Sequence, residues 1–116
     1  MSVRKVVLVS RLRAGAEEQL THDLPIEFPA HALSTIDELK GVTICQGSGL
    51  FVAIVEYEGD FEKLLQSYFS SPSIRSFHFK IEKYFENPPS STDPASLPLA
   101  GDVFQWDGER LRQMAG

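Results

Sequence analysis

The chain has 116 residues, enough for one domain and short of two independent cores. Acidic residues outnumber basic ones 16 to 11, for a formal charge of -5, which argues against a surface built to track nucleic-acid phosphates. A single cysteine rules out an internal disulfide and the Cys-rich zinc patterns, and 42% hydrophobic residues is the content of a folded chain.

The first apolar run, Val6-Val7-Leu8-Val9, is too short for a secretory leader and gives way at once to Ser10-Arg11-Leu12-Arg13. No stretch approaches the roughly 20 apolar residues of a membrane span. The expectation is a cytoplasmic protein with no membrane partner. Lys5 to Leu12 is β-branched and apolar on both faces, as in a strand covered on both sides. Arg13-Ala14-Gly15 makes a turn. Ala16, Leu20 and Leu24 then recur at helical spacing, with Glu17, Glu18, Gln19 and Asp23 on the polar side. Pro25 is expected to stop this helix, because proline disfavours helical geometry in the residue before it. Residues 25–40 read as an irregular connection with helical turns at Ala30 to Leu33 and Ile36 to Lys40.

Two strands follow, Gly41 to Gln46 and Leu50 to Tyr57, joined by Gly47-Ser48-Gly49 as a hairpin link. Cys45, next to Val42-Thr43-Ile44, reads as a buried strand thiol. Asp60 is a good N-cap, and Phe61, Leu64, Leu65, Tyr68 and Phe69 give the clearest helical pattern in the chain. Ser70-Ser71-Pro72-Ser73 interrupts it. From 74 to 86 the spacing fits a helix through Ile74, Phe77 and Ile81, and equally a strand through Phe77, Phe79 and Ile81. A helix yielding to a strand by about residue 82 and ending near Glu86 is expected. From Asn87 the composition is that of a proline-rich linker. Val103-Phe104-Gln105-Trp106 is too apolar for a free tail, and Glu109 to Met114 suggests a last helical turn. The division is therefore a domain over 1–86 and a C-terminal extension over 87–116 carrying an aromatic anchor.

Strand, helix, strand, strand, helix, strand is the split βαβ order of the ferredoxin-like α+β sandwich, βαββαβ. Its helices lie on one face of the sheet. The strands here are apolar on both faces, so the second face needs a cover. A second copy of the chain, paired sheet to sheet, would supply it.

Val7-Leu8-Val9-Ser10-Arg11-Leu12-Arg13-Ala14-Gly15 resembles the first strand and Arg-containing turn of the dimeric α/β-barrel superfamily, in particular its small polyketide cyclases. Antibiotic-biosynthesis monooxygenases and stress-responsive barrel proteins belong to the same superfamily. Gly49-Leu50-Phe51-Val52-Ala53-Ile54-Val55-Glu56 is similar to the family's third strand, and Phe104-Gln105-Trp106 to its aromatic C-terminal signature. The resemblance implies a homodimeric barrel that binds a small organic molecule, with cyclase, isomerase or cofactor-free monooxygenase activity. Two family features are missing. No histidine stands near Ala53, and no Ser-Asp run follows the first helix.

Candidate chemistry is sparse. His22, His31 and His78 lack metal-site spacing, so no metal and no cofactor is expected. His31, in a loop between prolines and an apolar stretch, is the candidate acid or base, set against an ordinary loop residue. His22 reads as a structural residue late in an amphipathic helix, where its charge suits the C-terminus, and His78 as a solvent-facing residue. Arg11 could bind an anionic ligand group at the barrel mouth, or pair with Glu56 or Glu58 across strands. Phe51, Tyr57 and Trp106, with Phe104, are the candidate lining of an apolar ligand pocket. Two functions stand. One is a barrel acting on, or binding, a small apolar molecule. The other is a non-catalytic module whose sheet serves dimerisation or partner binding. Whether the chain is an enzyme stays open at this point.

Overall fold

The computed structural model describes residues 2–90 and 93–101, and the backbone of 104–106 and 111–113. The order is β1 (Arg4–Arg11), α1 (Ala16–Glu27), α2 (Ala30–Ser34), β2 (Leu39–Gly47), β3 (Leu50–Tyr57), α3 (Phe61–Ser70), α4 (Pro72–Ile81), β4 (Leu99–Ala100), β5 (Phe104–Trp106) and β6 (Leu111–Gln113). The main sheet runs β2-β3-β1-β4 with antiparallel neighbours throughout. Strands β5 and β6 form a separate antiparallel pair. The main sheet has the split βαβ order, so the chain is a ferredoxin-like α+β domain.

The β-branched runs form the centre of the sheet. β1 and β3 pair continuously from Arg4↔Tyr57 to Arg11↔Leu50. The β2–β3 hairpin turns on Ser48 and Gly49, both at positive φ, 54° and 76°. That is a two-residue turn with the twist that antiparallel strands favour, one residue shorter than the expected link. The Gly49 amide donates to Glu17 Oε1 at 2.6 Å, fastening the turn to α1.

Helix α3 starts as expected, with the Asp60 carboxylate accepting from the Glu62 amide at 2.9 Å. Ser71 caps α4 by accepting from the Ile74 amide at 3.3 Å, and Pro72 sits in its first turn. Of the two patterns open at 74–81, the helical one holds. Ile74, Phe77 and Ile81 are buried, while Phe79 is 72% exposed.

Four local expectations are corrected. α1 runs through Pro25 to Glu27, because a missing amide so near the C-terminus costs one bond and the Phe28 amide still closes the helix onto Leu24 O at 2.9 Å. No strand follows α4 within residues 82–86. Glu82–Tyr84 is a 3-10 turn, and only Phe85 touches the sheet, bridging to Leu12. The fourth strand is instead Leu99–Ala100, reached through the proline-rich segment. Cys45 is exposed, because its position in β2 points away from the helices. In the expected C-terminal helical turn, Leu111–Gln113 is strand, paired with Phe104–Trp106.

The core has two clusters on the helix side of the sheet. Leu12, Leu20, Phe51, Phe77 and Phe85 belong to one, and Leu33, Ile36, Tyr57, Leu64 and Ile74 to the other. Leu20 and Ile74 are fully buried, at 0% and 1% exposure. The opposite face carries Val7, Val9, Thr43, Cys45, Val52 and Ile54, in register as Cys45–Val52–Val9 and Thr43–Ile54–Val7. All six are at least partly exposed in the single chain. No helix among the described residues is long and apolar enough to cross a membrane.

Candidate functional site

Between the sheet and the helices lies a cavity of about 140 Å³. Its origin is a size mismatch in the central strand. Ala53 sits in register with Leu8 on one side and Ile44 on the other, between the larger Phe51 and Tyr57 of the same face. The small side chain leaves space under the helices, which Leu64, Phe77 and Ile81 roof. Phe51 is held against Phe85 edge to face, with ring centroids 5.0 Å apart. One wall comes from the C-terminal segment, through Leu97, Pro98 and Leu99. The Val9 amide donates to Pro98 O at 3.0 Å and holds that wall in place.

The lining is almost wholly apolar. Its ionisable members among the described residues are Tyr68, His78 and Glu82. Tyr68 lies on the apolar stripe of α3, and His78 stands one turn after Ile74 on the buried side of α4. The Tyr68 hydroxyl and His78 Nε2 are hydrogen-bonded, and their rings meet at 5.3 Å between centroids. Burial pushes the Tyr68 phenol up and the His78 imidazole down from their ordinary ranges. Both are therefore neutral near pH 7. The neutral imidazole is the form that takes a proton and the phenol the form that gives one, but the same burial makes each weaker in that role than the free side chain.

A second polar network lies outside the cavity. The Tyr84 hydroxyl bonds to Asp23 Oδ2, and Asp23 Oδ1 bonds His22 Nδ1 and Gln19 Nε2, each at 3.0 Å. The Tyr84 bond, followed by that of His22, holds the Asp23 carboxyl down at about 2. The same bond pushes Tyr84 up to about 12. This network ties α1 to the turn after α4.

The residues singled out from the sequence are scattered. Phe51 lines the cavity. Tyr57 is buried in the neighbouring cluster, 5.1 Å from the Phe61 ring, and does not line it. His31 is exposed in α2 and stands outside it, although the nearby Leu33 lines it. Arg11 pairs with Glu86 at 3.7 Å in solvent, not with Glu56 or Glu58. The register explains this, since Glu56 stands opposite Lys5 and Arg11 opposite Leu50. Trp106 and Phe104 lie in β5, whose side chains are outside the described residues. His78, read as a surface residue, is the histidine at the cavity. Its signal was the four-residue spacing from Ile74, and a tyrosine on the apolar stripe of α3 that needed a polar partner. No three His, Cys, Asp or Glu side chains cluster as metal ligands among the described residues.

No protein-family model matches the chain, and no curated protein matches it significantly. Solved structures do. A protein of Bordetella bronchiseptica, provisionally described as an antibiotic biosynthesis monooxygenase, superposes with a TM-score of 0.65 at 11% identity, covering 89% of this chain and 99% of its own. Tetracenomycin F2 cyclase of Streptomyces glaucescens, a type II polyketide cyclase, superposes with a TM-score of 0.64 at 14% identity, covering 90% and 98%. A Chloroflexus aurantiacus protein with the same provisional monooxygenase description gives 0.54 at 14% identity, covering 73% and 83%. At such identities the likeness establishes the fold alone, the ferredoxin-like α+β sandwich that the chain shares with these structures.

Proposed function

We propose that this chain binds a small, largely apolar organic molecule in the cavity beneath α3 and α4 and acts on it by proton transfer, as a cyclase or isomerase. The observation that carries this reading is the neutral Tyr68–His78 pair set into an otherwise apolar lining. The pair satisfies its own members with one hydrogen bond and leaves the Tyr68 oxygen with acceptor capacity for a ligand. Cofactor-free oxygenation is the second reaction compatible with the site, because it also begins with a deprotonated substrate. The fold shared with a polyketide cyclase and with proteins described as monooxygenases supports both chemistries.

The working unit we propose is a homodimer in a reducing, cytoplasmic setting. The face bearing Val7, Val9, Val52 and Ile54 would pack on its copy, with Lys5 and Glu56 at one margin to set the register. Of the sequence candidates, Phe51 stays as a lining residue. We assign Arg11 to the rim of this face, Tyr57 to support of the lining, and Trp106 to anchoring the extension over 87–116. His31 becomes a secondary candidate behind His78.

The test is a panel of enolisable ketones and phenols incubated with the protein under air and read by mass spectrometry. Loss of one water marks cyclisation, unchanged mass with altered retention marks isomerisation, and gain of one oxygen with loss of two hydrogens marks oxygenation, the substrate supplying the electrons that send the second oxygen atom of O2 out as water. Binding without any product would leave the non-catalytic alternative, a binding or dimerisation module.

A further inference from the structure

Resting on the ligand-binding reading above, we infer that the cavity is selective for uncharged ligands and that Glu82 sets this selectivity at its rim. The described lining holds no lysine and no arginine. An anionic ligand would therefore leave its counter-charge in water and enter a space with none to offer, a transfer that strongly disfavours the charged form. Tyr68 and His78 do not supply one. They bond to each other, and burial keeps the imidazole neutral. The lining's other ionisable group is a carboxylate, which repels anions.

Glu82 is also well placed to act as a filter. It follows His78 by four residues, so both face the cavity from the same side of α4 and its 3-10 extension. It also borders an outer cleft, as do Ile81 and Pro88. The cations of that cleft are each held by a group other than Glu82. Lys80 pairs with Glu27 at 3.0 Å, and Arg13 Nε donates to Phe85 O at 3.0 Å. Lys83 lies over the Tyr84 ring, 5.2 Å from its centroid. Glu82 has no ion pair among the described residues, and of the cleft's charged groups it is the one that also lines the cavity. A cation would meet an attractive rim but the same apolar interior. The ligand class that fits is a neutral one- or two-ring molecule carrying a hydroxyl, carbonyl or amide for Tyr68 and His78.

The experiment uses two probes of one shape, 2-naphthamide and 2-naphthoate, titrated by intrinsic fluorescence at neutral pH. The amide should bind more tightly than the carboxylate by about tenfold or more. Glu82→Gln, at an exposed position that leaves the core intact, should narrow that ratio by tightening naphthoate. Equal affinities, or tighter naphthoate, would overturn the selectivity while leaving ligand binding in place. Binding of neither probe would overturn the selectivity and the ligand-binding reading together. An unchanged ratio in Glu82→Gln would remove Glu82 as the filter.

Discussion

The two faces of the sheet use similar residues to different ends. On the helix side Phe51, Ala53 and Tyr57 are buried in the core, with Leu8 and Ile44 partly buried against it. On the other side Val7, Val9, Val52 and Ile54 are as apolar yet face outward. Strand alternation thus places one apolar set in a core and a second on a surface. The contrast separates two roles. The helix face builds stability and a pocket, and the open face stays uncovered in the single chain.

The largest expected effect tests the helix face. Leu20→Ala, at a fully buried site, should cost about 2–5 kcal/mol in urea unfolding. A cost near that of a surface substitution would show that this face is not the core. On the open face, Ile54→Lys should leave the fold intact by circular dichroism. It should weaken the dimer by about 100-fold or more in sedimentation, because a lysine would be buried at the pairing surface. A monomeric wild type would remove the dimer from the account.

Smaller effects probe the polar groups. Tyr68→Phe should cost about 1–3 kcal/mol, because it leaves His78 half-buried without its partner. Wild-type stability should also fall as the pH drops below 6.5. The His78 pKa is lowered in the folded state, so the unfolded chain takes up the proton first. His78→Gln should flatten that part of the profile. The smallest change is outside the cavity. In Tyr84→Phe the Asp23 carboxyl, held at about 2, should titrate closer to 3.8 by NMR. An unmoved Asp23 would show that the Tyr84 bond does not set it.

The sheet and the α3 helix were legible because their signals are local. β-branched runs, a glycine turn and an Asp60 cap each specify structure within a few residues. The fourth strand was not. Leu99–Ala100 is only two residues long and follows a segment whose prolines read as linker, so its place depends on the β1 edge it meets. Phe85 marks where a strand was expected, and there the helix period continued to Ile81 and left one bridge. The site was half legible. Phe51, a candidate lining residue, borders this cavity, but the cavity lies on the helix side of the sheet, away from the exposed Arg11. His78 was hidden because the pairing of α3 with α4, and not any motif, brings it to Tyr68.

Amide chemical-shift mapping of the protein with 2-naphthamide tests the central claim most directly, because it reports which face of the sheet takes the ligand. The account predicts saturable shifts at Ala53, Leu64, Phe77 and His78, with Val7, Val52 and Ile54 little moved. Shifts centred on those open-face residues, or none at all, would contradict it.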